Sequence, residues 1–295
     1  MKINILKGFY LLATLTVTLM SFSSTADNKS ALSLKVYNSD KNSFHVNSTL
    51  VYGETEAVLI DTGFTRADAL RIAANVLDSG KKLTTIFISQ ADPDFYFGIE
   101  TLRQIFPDVN VITTPAVRKA ISIKMGGKLA YWGPKMGVNA PKNVLLPDVY
   151  SPNSFTVDGY KIEVKGTEGV LANRPFVWIP SIKAIVGNIA VFGDLHVWTA
   201  DTQSSESLAA WQHQLQEMKE LSPKVVVPGH MKKGTQLNVQ LIDYTATYLT
   251  DFIDAKRKSI NAQALIDIMT TRYPDAELNL ALAIGAKVHM GEMKW

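Results

Sequence analysis

Apolar and β-branched residues cluster over 48–52 and 57–61 on either side of Gly53-Glu54-Thr55-Glu56, which predicts a hairpin. The apolar period then changes: Leu70, Ala73, Ala74 and Leu77 recur at helical spacing between the capping-box-like Thr65-Arg66-Ala67-Asp68 and Gly80. A strand is expected over Thr84–Ser89, a polar loop over Gln90–Asp94, a short helix over Ile99–Phe106 before Pro107, and a strand over Asn110–Thr114. Pro115–Lys128 reads as helix, and Gly126-Gly127, Trp132-Gly133-Pro134 and Gly137 predict a following loop able to shape a pocket.

The second part repeats the order without repeating the sequence. Residues 155–162 alternate around Asp158-Gly159, and Phe176–Ile179 and Ala184–Val186 flank Pro180–Lys183, giving two more hairpins. Leu208, Trp211, Leu215, Met218 and Leu221 share a helix face, Lys224–Val227 reads as a buried strand, and 236–256 and 261–272 read as helices. β-rich then α, twice, with no fixed-period repeat, predicts an α/β fold: a four-layer αββα sandwich with helices outside two sheets.

With 295 residues, 46% hydrophobic and 19% charged, the chain can bury one sizeable core or two small ones. Residues 1–26 carry Lys2 and Lys7, an apolar run from Phe9 to Met20 and a small polar stretch to Ala26, the pattern of a secretory signal peptide. The expectation is a leader over 1–26 and one domain over 27–295, periplasmic or secreted, with no stable membrane anchor after cleavage. Cleavage there removes two positive charges and takes the formal net charge from +3 to +1, which argues against a nucleic-acid partner. The absence of cysteine excludes disulfides, thiolate catalysis and thiolate metal sites, so any metal must use His, carboxylate or amide ligands.

The candidate chemistry lies in a few places. Gln90-x-Asp92-x-Asp94-Phe95 gathers an amide and two carboxylates in one loop after a strand, and His230 follows Pro228-Gly229 at the end of another. Asp92 and Asp94 also suit the first turn of a helix, and Asp61 suits a turn before Gly63. His196, in Leu195-His196-Val197-Trp198, is a candidate substrate contact or proton carrier. His213 fits a solvated helix face, and His45 and His289 have no partner spacing. Loop aromatics, among them Tyr96, Phe97, Tyr131, Trp132, Phe192 and Trp198, could line an apolar pocket.

Three segments in order, Val58–Gly63, Ile88–Gly98 and Val226–His230, with Trp178–Asn188 between the last two, resemble the metallo-β-lactamase fold superfamily over most of the chain. The resemblance implies a His-x-His-x-Asp-His loop that holds two zinc ions and acidifies a bridging water. Residue by residue, the first two histidines fall on Gln90 and Asp92, the aspartate on Asp94 and the last histidine on Phe95. A further histidine falls near Gly166-Thr167-Glu168, and the bridging aspartate falls on Asn188. A conventional zinc pair is therefore not expected. Asp92, Asp94 and His230, with Gln90 and Asn188 as auxiliaries and Glu168 nearby, could hold one divalent ion with mixed oxygen and nitrogen ligands. Asp61 would order the loop. The implied activity is hydrolysis of an ester, lactone, amide or related small substrate, with Asp94, His230 and His196 as catalytic candidates. The alternative is a binding module that keeps the cleft for a small-molecule ligand after losing its metal.

Overall fold

Alternating side chains in the central strands feed two different cores, and this alternation sets the layering. The computed structural model describes residues 32–295; the leader expected over residues 1–26 lies outside them. Six strands, β1 (Ser33–Asn38), β2 (Asn47–Tyr52), β3 (Glu56–Ile60), β4 (Lys82–Ile88), β5 (Asn110–Thr113) and β6 (Asp148–Val149), form one sheet in that order. Leu50, Leu59, Ile86 and Ile88 face the helices α1 (Arg66–Ser79), α3 (Ile99–Ile105) and α4 (Pro115–Met136), with the single turn α2 (Pro93–Tyr96) between sheet and site. Val51, Val58, Ile60 and Phe87 face the other way, into the second sheet.

That second sheet runs β12-β10-β9-β8-β7, from β7 (Ser154–Val157), β8 (Tyr160–Lys165), β9 (Phe176–Ile179), β10 (Ala184–Val186) and β12 (Val225–Val226). Val177 and Ile179 pack between the sheets, while Phe176 and Trp178 point out onto α5 (Ser205–Glu220), α6 (Gln240–Lys258) and the C-terminal helices. Successive residues on opposite faces of a strand thus build both outer cores and the inner one. The result is the expected αββα sandwich. A short parallel pair, β11 (Phe192–Gly193) with β13 (His230–Met231), closes one end, and α7 (Ala262–Arg272) and α8 (Asn279–His289) complete the outer layer. Among the described residues no helix is long and apolar enough to cross a membrane.

Two expectations are corrected, and one element was not foreseen. The loop expected after Lys128 is helix: α4 continues through Gly126-Gly127 to Met136, with Pro134 in its final turn. Val117, Ile121, Met125, Leu129, Trp132 and Met136 fall on one stripe against the first core, and this packing outweighs a cost of about 1 kcal/mol per glycine. Second, the strand expected over Lys224–Val227 shortens to β12, Val225–Val226, whose register partners in β10 are Ala184 and Ile185. Third, α8 escaped the sequence reading; Ala281, Leu282 and Ala286 are buried, but its small residues carry a weak pattern.

Candidate functional site: an aromatic cleft over an acid–imidazole pair

The site lies where the ends of β4, β10 and β13 converge. After β3 the chain turns at Asp61, whose φ of 64° places it in the left-handed region. Its carboxylate accepts from the Ser89 N–H and the Ser89 hydroxyl, both at 2.7 Å, and its carbonyl accepts from the Ser48 hydroxyl at 2.7 Å. Asp61 therefore ties the ends of β2, β3 and β4 together. Burial raises its carboxyl pKa to about 7, against the lowering effect of the two Ser89 bonds. The loop beyond β4 is clamped through Thr62, whose N–H and hydroxyl both donate to the Phe95 carbonyl at 2.8 and 2.9 Å. Gly98 is required here, because a Cβ at that position would sit 2.0 Å from the Thr62 carbonyl oxygen.

From this clamped loop Asp94 projects inward and meets His230, with carboxylate oxygen and Nε2 3.7 Å apart. His230 is fixed by pairing with Phe192 in β11 and bridging to Val46, and its Nδ1 lies 2.9 Å from the Phe44 carbonyl. Since a carbonyl only accepts, Nδ1 carries the proton and Nε2 faces Asp94 as a bare acceptor. The ring stacks on Phe192 at 5.2 Å and meets Phe95 edge-on at 5.5 Å. Burial lowers the His230 pKa to about 4, and burial together with the neighbouring Asp92 raises Asp94 well above the usual carboxylate range. Both shifts favour the uncharged forms, the acid on Asp94 and the neutral imidazole on His230. A Cβ on Gly229 would lie 2.2 Å from the Asn188 carbonyl oxygen, so the Pro228-Gly229 turn brings these backbones into close contact.

The remaining candidates separate. Asp92 takes the N-cap position of α2 without capping it; it lines the cleft, half-buried, 3.7 Å from Lys128 Nζ. Burial and the charge of Asp201 raise its pKa, opposed by Lys128. Gln90 turns away, its Nε2 donating to the Pro175 carbonyl at 3.0 Å. Asn188 spends its amide on structure, donating to the Val227 carbonyl at 3.0 Å and accepting from the Val191 N–H at 2.8 Å. His196 is buried against Tyr248, with Nδ1 3.0 Å from the hydroxyl, and does not line the cleft; burial lowers its pKa to about 4. Glu168 lines a separate depression beside α5, together with His213. His213 is exposed and lies 3.6 Å from Glu217, as a solvated face requires. His45 lies 3.4 Å from Glu277 at the surface of another hollow, and His289 is buried on α8 with Nε2 3.1 Å from the Thr199 carbonyl.

Above the Asp94–His230 pair opens a cavity of about 410 Å3. Its walls are mostly apolar: Phe44, Trp132, Phe192, Trp198 and Trp295 supply rings, and Ile284 of α8 supplies an aliphatic side chain. Tyr96 and Phe97, by contrast, are buried in the core beneath. Asp201 anchors one end by accepting the indole N–H of Trp198 at 2.6 Å and of Trp295 at 2.9 Å. Burial raises the Asp201 pKa, but these bonds with Lys124 and Arg174 hold it below the usual range. Sequence reading missed Asp201, Arg174, Trp295 and the role of Lys128. Lys124, Lys128 and Tyr131 would have been a usable signal once α4 was extended, because helical spacing sets them along one side of it.

The donor set does not fit a metal ion. Among the described residues, no three His, Asp or Glu side chains lie close enough to hold one, Phe95 offers a ring, and both candidate amides are turned to backbone partners.

A family model described as the metallo-beta-lactamase superfamily matches residues 42–171, which include the Gln90–Phe95 loop and end before His230. No curated protein matches the chain. Among solved structures, a metallo-beta-lactamase family protein from Thermus thermophilus aligns with TM-score 0.59 and 17% identity, covering 85% of this chain and 91% of its own. A metallo-beta-lactamase from Pontibacter korlensis aligns with TM-score 0.50 and 21% identity, over 75% and 96%. At these identities the likeness is one of fold.

Proposed function

Because a family model described as the metallo-beta-lactamase superfamily matches residues 42–171 and solved members share the fold, we propose that the chain is a member of that hydrolase-type superfamily that has kept the cleft to bind a small organic molecule without a metal ion. The observation that carries this reading is the Asp94–His230 pair, two facing groups 3.7 Å apart that no third His, Asp or Glu joins into a metal-holding cluster among the described residues, at the base of an aromatic cavity of about 410 Å3. That volume and lining suit a small ligand with an apolar body, while the Asp94 carboxyl and the bare imidazole nitrogen of His230 offer hydrogen-bond partners for its polar group. The leader-like residues 1–26 support a site of action outside the cytoplasm; a native-envelope species whose mass starts beyond Ala26 would agree, and one starting at Met1 would not.

A metallo-hydrolase is the second reading, favoured by one fact: Asp94 and His230 come from opposite halves of the chain and still meet. Elemental analysis of protein purified without added metal, with turnover on a panel of esters, lactones and β-lactams, separates the two. The expected result is substoichiometric metal and no turnover, in the parent and in Asp94→Ala and His230→Ala alike. Stoichiometric metal with turnover that both substitutions abolish would establish the hydrolase instead.

A further inference from the structure

We propose that the ligand of this cleft is an aromatic carboxylate, its flat body held between the wall rings and its anionic group by Lys128 and Lys294. The inference rests on the ligand-binding reading above and adds the charge and shape of the ligand.

The shape follows from the walls. Phe44 meets Trp132 at 5.3 Å and 68°, and Trp198 meets Trp295 at 5.1 Å and 69°. These ring pairs come from four separated stretches of chain and line one cavity with Phe192. A planar aromatic body buries apolar area against such walls and gains the edge-to-face and offset contacts that rings prefer.

The charge follows from an uneven balance at the Trp295 end. Lys128 Nζ lies 5.5 Å from the centre of the Trp295 ring and 3.7 Å from Asp92, too far for a hydrogen bond, so its donors remain free for a ligand. Lys294, next along the chain, lines the same cavity and has no ion-pair partner among the described residues. The two carboxylates at this end are already faced by lysines, Asp92 by Lys128 and Asp201 by Lys124 at 3.7 Å. Behind them Arg174 is buried, its guanidinium 4.6 Å from the Trp211 ring centre, Nη1 bonded to Thr202 and Nη2 without a partner. Three lysines and one arginine thus surround Asp92 and Asp201, and an entering carboxylate reduces this positive excess where an entering cation would increase it.

The test is calorimetric titration of the full chain at low ionic strength with three probes on one carbon frame: 2-naphthoate, 2-naphthamide and 2-naphthylmethylammonium. The carboxylate is expected to bind roughly tenfold or more tighter than the amide, with the ammonium weakest and the preference shrinking as salt is added. In Lys128→Met/Lys294→Met the ratio of carboxylate to amide affinity should fall to near one, with Lys294→Met alone between. Circular dichroism of each variant reports folding, and neither lysine is part of a buried core. Amide or ammonium binding as tight as the carboxylate overturns the anionic assignment and leaves the ligand-binding cleft standing. A preference that survives the double substitution overturns the role given to the lysines. Failure of all three probes overturns both the inference and the reading beneath it.

Discussion

Asp61 and Asp94 are two buried aspartates with raised pKa values, and their surroundings differ in kind. Asp61 is saturated: Ser89 supplies two donors to its carboxylate and Ser48 one to its carbonyl, so it joins three strand ends. Asp94 faces a bare imidazole nitrogen at 3.7 Å and borders open space. The first carboxylate holds a loop in shape. The second is held by that loop and left available, and a group available to a ligand is one the protein has not used for its own stability.

The sharpest way to break this comparison is to truncate both. At pH 5, where the native carboxyl is still protonated, Asp61→Ala leaves the buried Ser89 N–H and hydroxyl without their partner, and about 4 kcal/mol of unfolding free energy should be lost, at roughly 2 kcal/mol per orphaned donor. Asp94→Ala removes a carboxyl with no short partner and should change stability by about 1 kcal/mol or less. Urea unfolding of the two variants measures both; equal losses would mean that Asp94 is structural as well.

A smaller effect follows from His230. Its folded pKa, near 4, lies below the value of 6.5 for a free imidazole, so the native state holds the neutral ring. Its contribution is present above pH 6.5 and is lost as pH falls toward 4, by about 3 kcal/mol at 1.36 kcal/mol per unit. Asp61 acts with the opposite sign: its pKa is raised to about 7, so its contribution is present below the free value of 3.8 and is lost as pH rises through 7. The two partly offset in a bulk stability curve, so 15N NMR of the histidine ring is the proper measurement. Nδ1 of His230 should stay protonated and Nε2 bare down to about pH 4. A ring that titrates near pH 6.5 would show that the site is wetter than its packing implies.

The two-member pair also explains how much of the site could be read in advance. Asp94 and His230 were marked by their residue types at strand ends, and they do meet. Gln90 and Asn188 carried equally polar side chains in equally suggestive positions, yet both turn to backbone carbonyls, because a buried amide must satisfy its own donors before it can serve a ligand. Residue type says what a side chain can bond to, and only the fold says which partner is nearest.

The sequence by itself determined the layering. Alternation in β2, β3, β4, β9 and β10 requires two faces per strand to be buried, and one sheet cannot satisfy that without helices on its far side. It determined the loss of imidazoles as well, since Phe95 cannot bind a cation whatever its surroundings. The tertiary structure alone decided the cleft. Its walls join Phe44, α4, β11, α8 and Trp295, segments spread over nearly the whole described chain, and Asp201 receives an indole from each of two distant tryptophans. No local pattern marks such residues: each occupies an ordinary helix or loop position, and the pocket exists only in the distances between them.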